Sequence, residues 1–305
     1  MDRLEAMSIL LRVVETGSFS AASRALGVPL PTVSRKVGEL EQHLGTRLLT
    51  RTTRKLALTD AGAAYIASAR RILEDVDEAE RLAAGEFQAP RGMLVLTSPV
   101  HFGQRHVLPI VSEFLAEYPE IDVRLLLADH NLHLLDDHVD LAVRIGQLPD
   151  SSMVATRVGA MRIVVCASPR LLAAQGTPAR PEDLAALPIV NFDFLAPSAI
   201  WQFRPAGKQR PVDVPVMPRL SVNSSLAAVE SAKRHVGATR VLHYQCADAV
   251  REGALRLLLE DYESPPMPIH LIHAGDRALP SKTRVFLDFA ASRLRQVLRD
   301  LGCDG

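Results

Sequence analysis

Cysteine is scarce in this chain: three residues, Cys166, Cys246 and Cys303, stand too far apart for a disulfide framework or a zinc cluster. No apolar run reaches the roughly 18 residues of a membrane-spanning helix. The opening MDRLEAMSILLRVVE has no basic stretch leading into an uninterrupted apolar one, so no secretory leader is expected and a cytoplasmic location is. Net charge is also missing, with 35 Lys and Arg against 35 Asp and Glu. That balance excludes a uniformly basic protein that coats nucleic acid or an anionic membrane. A Gly-rich phosphate loop, a nucleophile elbow and a zinc-protease motif are all lacking, and no triad is legible. Neither catalysis nor a cofactor is expected.

What is present is a chain of 305 residues, 48% hydrophobic, enough for two or three domains with sizeable cores. The zero net charge hides an asymmetry. Residues 1–71 hold eleven Lys and Arg against six acids, and residues 72–89 hold one Arg against six acids. The remainder carries 23 of each sign. A small basic head on a neutral body is the pattern of a polyanion-binding module joined to something else.

The head reads as short helices. Leu4, Met7, Leu11 and Val14 recur at helical spacing until Gly17. Ser20 is placed to cap a second helix that buries Ala21, Ala22, Ala25 and Leu26 and stops at Gly27. A third helix is predicted from about Pro31 to Leu44, burying Val33, Val37, Leu40 and Leu44 and showing Thr32, Arg35, Lys36, Glu39 and His43. Two short strands follow, Thr46–Leu49 and Lys55–Leu58, around the basic tip Arg51-Thr52-Thr53-Arg54. Three helices and a hairpin describe a winged helix-turn-helix, whose third helix can enter a major groove while the hairpin reaches phosphates. A protein-interaction module has the same outline.

From Thr59, a cap, a helical pattern runs to Phe87 with an a/d seam of Ile66, Ala69, Leu73, Val76 and Ala83, which predicts pairing with a second chain. Gln88 to Gly92 reads as a linker. Beyond it, apolar runs such as MLVLTS, DVRLLLA, DLAVRI, RIVVCA, PIVNF, RLSVN and MPIHLIHA alternate with helical patterns, Phe102–Tyr118 and Lys282–Leu301 among them. This is an α/β fold in two lobes, with crossings expected near Val158–Met161 and Pro265-Pro266, and such lobes take a small molecule between them.

The segment ETGSFSAASRALGVPLPTVSRKVGELEQHLGTRLLTRTTRKLALTDAG carries G-S-F-S-A-A, V-S-R, L-E-x-x-L-G, R-L-L-x-R-T-T-R and L-T-x-A-G in fixed order. It resembles the winged helix-turn-helix of the LysR-type transcriptional regulators. Thr97-Ser98-Pro99, D-L-A-V-R-I-G, A-S-P and P-E-D-L resemble that family's effector domain. The resemblance implies a winged helix-turn-helix at 1–58, a linker and dimerisation helix at 59–89, and a two-lobed effector-binding domain at 90–305 resembling periplasmic binding proteins. Lobe I would hold about 90–160 and 266–305, and lobe II about 161–265. It implies a bacterial regulator that binds a double-stranded DNA operator as a homodimer or homotetramer, responds to a small co-inducer and meets RNA polymerase. Two departures stand out. Pro29-Leu30 replace the Ser-Gln pair that usually opens the recognition helix, leaving it without a capping side chain. In RHVGATRVL, relatives often have two glycines and a final proline, where this chain has His235, Gly237 and Leu242.

The expected DNA contacts are Thr32, Ser34, Arg35 and Lys36 on the third helix, with Arg51, Thr53 and Arg54 on the wing. For the effector, Ser98, His101 and Phe102 form a strand-to-helix turn whose free N–H groups suit an anion. Arg144 would emerge at the same edge, and Asn223 would face them from the other lobe; in relatives these positions line the cleft. The set suits an organic acid, with Arg144 on the carboxylate; the competing role for Arg144 is a structural bridge to Asp140 or Asp129. Asp129, His130, His133 and His138 offer metal-ligand types, but no Cys or Glu completes a set and no metal is expected. Cys166 and Cys246 read as buried thiols. The alternative to a regulator is an α/β enzyme or solute-binding protein with a helical N-terminal interaction domain.

Overall fold

The computed structural model describes residues 1–51, 56–83, 89–130, 134, 137–148, 153–204, 211–275 and 279–301. The chain divides into two compact units, Met1–Gly92 and Met93–Gly305.

The first unit opens with α1 (Arg3–Thr16), capped by the Asp2 carboxylate, which accepts from Leu4 N and Glu5 N at 3.0 and 3.2 Å. The α2 helix (Phe19–Leu26) is capped by Ser18 and not by Ser20. Ser18 is the residue with extended backbone, so its Oγ can accept from Ala21 N, whereas Ser20 already lies inside the helix. The third helix, α3 (Leu30–Leu44), starts at Pro29 with no side-chain cap. These helices bury Ala6, Ile9, Leu10, Val13, Ala22, Val33, Val37 and Leu40 together. The first wing strand begins later than the alternation predicts: β1 is Leu49–Arg51, paired antiparallel with β2 (Leu56–Leu58). The reason is Glu41, whose Oε1 accepts from Leu48 N and Leu49 N at 2.8 and 3.0 Å and ties the entry to the wing back onto α3.

The Thr59 hydroxyl caps α4 (Asp60–Ala83), accepting from Gly62 N at 2.9 Å, and donates to Arg47 O at 2.7 Å. A Cβ on Gly62 would stand 2.0 Å from Leu48 O, so only glycine lets α4 seat against the wing entry.

The second unit holds two five-stranded mixed sheets. One has the order β4-β3-β5-β14-β6, from β3 (Gly92–Ser98), β4 (Ile121–Leu127), β5 (Leu141–Ile145), β6 (Met153–Met161) and β14 (Met267–Ala274). The other runs β11-β8-β12-β7-β13, from β7 (Ile163–Ala167), β8 (Ile189–Phe192), β11 (Pro218–Val222), β12 (Ala238–Leu242) and β13 (Arg256–Leu258). A hairpin that the sequence reading did not predict, β9 (Ile200–Phe203) with β10 (Val212–Pro215), covers one face of the second sheet with Trp201, Phe203 and Val214. The helix expected over Phe102–Tyr118 is instead α5 (Val100–Phe102), a π-helical turn (Gly103–Val107) and α6 (Leu108–Glu117). The remaining helices are α7 (Pro169–Gln175), α8 (Ser225–Lys233), α9 (His243–Arg251) and α10 (Ser281–Asp300).

The chain passes from the first sheet to the second at Arg162, one residue after β6, and returns through Glu263 to Pro266. Val158–Met161, read as a crossing from sequence, is instead the end of β6. The two passages are joined: Arg162 bonds Glu263 through Nε (2.8 Å) and Nη2 (2.6 Å), and Glu260 through Nη2 (2.9 Å). His235 has φ 65°, a left-handed backbone that favours glycine, and its Nδ1 lies 2.8 Å from Ser168 Oγ. Cys166 and Cys246 are both buried, within one apolar cluster.

Candidate functional site

The surface of α3 follows from the burial of its other side. With Val33, Val37 and Leu40 fully enclosed, Thr32, Ser34, Arg35 and Glu39 are left at or near the surface. The Arg35 side chain is 59% exposed and pairs with the Glu39 carboxylate one turn on. Lys36 differs: its side chain is only 14% exposed and is paired with Glu5 of α1. Lys36 therefore joins two helices of the unit, a correction to the free groove-facing cation that the sequence predicts. Met1, Asp2, Arg35, Lys36, Glu39, Gln42 and His43 line an open concavity at this surface. The Arg51 backbone belongs to β1; its side chain, Thr53 and Arg54 lie outside the described residues.

The predicted seam on α4 is divided. Ala69 is completely buried inside the unit and Ile66 packs on the core of its own three helices, so neither faces outward. Arg70 bonds Glu15 of α1 at 3.0 Å on the same side. Leu73 and Val76 are half-buried, and neighbouring Ile72, which the heptad reading omitted, is 41% exposed. The Ala83 side chain lies outside the described residues.

In the α/β unit, β3 and β5 run parallel with Thr97 beside Ala142, which sets Ser98 and Arg144 at the carboxyl ends of neighbouring strands. Both are buried, and burial lowers the Arg144 pKa from its ordinary value. Asn223 is exposed at the carboxyl end of β11, in the second sheet. The parallel neighbour strand β8 leads there to Leu195, and β12 leads to Leu242 and Tyr244, all packed on the core of the first sheet. The carboxyl edges of the two sheets thus meet where His101 and Phe102 contact Tyr244, with Ser98 and Arg144 at strand ends of the first sheet and Asn223 at a strand end of the second.

Two expectations need correction. The first N–H of the helix after β3 is not free for an anion, because Val100 N donates to Asp129 Oδ1 at 2.9 Å. Phe102 is 0% exposed and packs edge-on against Tyr244, so it supports the junction from within and offers no surface. Asp140 Oδ2 accepts from Val95 N at 2.7 Å. Of the candidate metal ligands, His133 lies outside the described residues, and no group of three or more His, Cys, Asp or Glu is placed to hold a metal among the described ones.

Sequence reasoning missed the residues that join the sheets. Arg105, in the π-helical turn, bonds both carboxylate oxygens of Asp248 on α9, with Nη2 to Oδ1 at 2.9 Å, and holds that carboxyl at a pKa of about 2. Tyr244 gathers His101, Phe102 and His106 within ring-centroid distances of 5.4 to 5.6 Å. Burial, with Arg105 nearby, lowers the pKa of His101 and takes that of His106 down to about 4. Both histidines are thereby kept neutral. His101 Nδ1 and His106 Nε2 are buried without a hydrogen-bond partner. The available signal was Gln104-Arg105-His106, three consecutive polar residues near the start of a mostly apolar helical stretch.

Residues 4–63 match the family model for the bacterial regulatory helix-turn-helix protein, lysR family, and residues 87–295 match the LysR substrate binding domain. An HTH-type transcriptional regulator of Xanthomonas campestris pv. campestris (strain 8004) is 37% identical over 291 residues, covering 94% of this chain and 84% of the relative. Among solved structures, CrgA, a LysR-type transcriptional regulator from Neisseria meningitidis, is 31% identical with a TM-score of 0.60, over 95% of this chain and 98% of that one. The Vibrio cholerae virulence activator AphB is 25% identical with a TM-score of 0.59, over 95% and 98%. A DNA-binding head built on α3, followed by a two-sheet unit whose carboxyl edges meet, is therefore not an enzyme: the chain belongs to the LysR family of transcriptional regulators.

Proposed function

We propose that this regulator holds a dyad operator in double-stranded DNA and changes its hold when a small organic acid enters between its two sheets. The domain limits are 1–58 for the winged helix, 59–89 for the linker helix and 90–305 for the effector-binding part. The lobes of that part divide near residues 160 and 266. The observation that carries the DNA reading is the two-sided character of α3: one face is fully enclosed, and the other presents Thr32, Ser34 and Arg35. Arg35 reads a base edge, Thr32 and Ser34 hold backbone, and the wing tracks the flanking strand with Arg51, Thr53 and Arg54. Lys36 supports α3 from beside Glu5.

Dimerisation uses the α4 surface around Ile72, Leu73 and Val76 and the stretch through Ala83, since Ile66 and Ala69 are occupied within the chain. Two-fold pairing sets two α3 helices on a dyad. Joining two dimers through the effector domains gives the homotetramer, and RNA polymerase is the further partner in the cytoplasm. For the effector, Arg144 pairs with the carboxylate, Ser98 and His101 fix its orientation, and Asn223 closes on it from the second sheet. The placing of Arg144 and Ser98 at the carboxyl ends of neighbouring parallel strands supports this.

Arg35→Ala should weaken binding to an operator mapped on the protein's own genome by about 1–3 kcal/mol. Wild-type affinity in that variant refutes the role of α3. Leu73→Asp should halve the mass of the DNA-binding species in light scattering, and an unchanged mass removes α4 as the seam. Arg144→Ala should keep operator binding but lose thermal stabilisation by carboxylic acids that stabilise the wild type. A variant that still responds fully to those acids assigns Arg144 a structural role.

A further inference from the structure

Glu39 is out of place on a surface meant for DNA. A carboxylate on the groove-facing side of α3 is repelled by phosphates and opposes the release of counterions that drives binding. Helix stability does not account for it. An exposed pair one turn apart is worth about 0.3–0.5 kcal/mol, and the order here, cation before anion, is the weaker one. The other carboxylate beside this surface has a plain architectural use, since Glu5 ties Lys36 of α3 to α1. Glu39 ties Arg35 to nothing but its own helix.

Gly38, between them in sequence, is a second anomaly. A glycine inside a helix costs about 1 kcal/mol relative to alanine. Here, beyond its chain neighbours and the backbone of its own helix turn, no atom among the described residues lies within 4 Å of where a Cβ would stand, so the fold does not ask for it. A surface that must approach another molecule closely does.

We infer that Arg35 and Glu39 form one base-reading unit, with Gly38 as the gap that lets the helix settle close to the base edges. The inference rests on the reading of α3 as the recognition helix. Arg35 donates in bidentate fashion to guanine O6 and N7, and Glu39 accepts from the N4 amino group of a cytosine. Residues one turn apart are separated by about 6 Å along the helix, which brings their long side chains to neighbouring base pairs. Before DNA arrives, the Glu39 carboxylate holds the guanidinium in place, so Arg35 has less side-chain freedom to lose on binding. A cytosine at the second position offers the carboxylate a donor as it leaves that pair. Guanine and thymine offer the carboxylate no donor, and adenine sets its N6 donor beside an N7 acceptor that repels the second carboxylate oxygen, which is how a residue that weakens general affinity sharpens discrimination.

The test is selection from a random-sequence duplex library by the full-length protein and by Glu39→Gln, Glu39→Ala and Arg35→Ala, with affinities for the mapped operator and for an unrelated duplex. A glutamine reads adenine through N6 and N7, so Glu39→Gln should move the preferred base at one position of each half-site from cytosine to adenine. It should also bind the wild-type operator about tenfold more weakly and the unrelated duplex about twofold more tightly, because a charge that repels phosphate is gone. Glu39→Ala should accept any base at that position. If both Glu39 variants select the same bases as the wild type while Arg35→Ala loses the operator, the pair is only a surface contact and the inference falls. If Arg35→Ala retains wild-type affinity, the recognition helix itself has been misassigned. Thermal melting of each variant verifies that the exposed substitutions leave the fold intact.

Discussion

All twelve buried polar or charged residues among those described belong to the α/β unit, from Thr97 and Ser98 to Lys282 and Thr283; the N-terminal unit buries apolar side chains alone. The difference follows from what each unit meets. A head that docks on a polyanion keeps most of its cations at the surface, Lys36 beside Glu5 being an exception, and holds itself together by close packing, so its weak points are steric. A unit that encloses a small molecule must carry polar groups into its interior, and each one costs free energy unless it is bonded or kept neutral. Its weak points are electrostatic.

Substituting a residue where packing alone matters should give the largest effect at neutral pH. Gly62→Ala drives a methyl group into Leu48 O, and α4 must lift from the wing entry. We expect a loss of about 3 kcal/mol in the N-terminal unit, read as a lowered melting transition together with lost operator binding. A variant as stable as the wild type would show that this close approach is not required.

The α/β unit should respond instead to pH. His106 is held neutral down to about pH 4, whereas an unfolded histidine takes its proton near 6.5. The stability it contributes is complete above about pH 6.5, declines as pH falls between the two values and levels off below about 4. The slope through that window should approach about 1.4 kcal/mol per pH unit, and His106→Gln should remove this component. Denaturant titrations of both proteins from pH 7.5 to 4 verify it, and identical pH profiles would contradict it. The Arg105–Asp248 pair weakens only further down, as Asp248 is protonated toward its pKa of about 2.

The smallest effect sharpens the contrast between two glycines of the same unit. Gly38→Ala meets open space and should stabilise the unit by about 0.5–1 kcal/mol, the reverse of Gly62→Ala. Differential melting measures both, and a destabilised Gly38→Ala would mean that α3 needs the glycine for its own conformation.

The same contrast decides what could be read from sequence. The head's helices, its hairpin and its exposed Arg35 follow from periodicity over short spans, because its contacts are local. One error there was a cap shifted by two residues, Ser18 in place of Ser20, where backbone conformation chose between two serines; others were Ala25 and Leu44, expected inside but exposed, and Lys36, expected outside but held by Glu5. The strand edge of the wing moved because Glu41 reached seven residues forward, a bond that hydrophobic alternation does not register. In the α/β unit most strands were legible as apolar runs. Ile200–Phe203 was missed although its alternate residues are buried, since four residues between turn-like segments give little signal. The junction was illegible for a stronger reason. Arg105 and Asp248 are 143 residues apart, and no periodicity joins a π-helical turn to a helix of the other sheet. Ser98 and Arg144 could be placed at one edge because strand ends are predictable, whereas the use of Val100 N by Asp129 could not.

The two passages between the sheets have a mechanical consequence. A single connecting segment would let the two halves swing and rotate about it freely. Two segments fastened side by side, by Arg162 to Glu260 and Glu263, behave as a door hinge with two knuckles. Bending about the line through both leaves those bonds intact, whereas twisting one half against the other would pull Arg162 away from its carboxylates. Relative motion of the two sheets is therefore confined to one stiff axis and expressed as an angle.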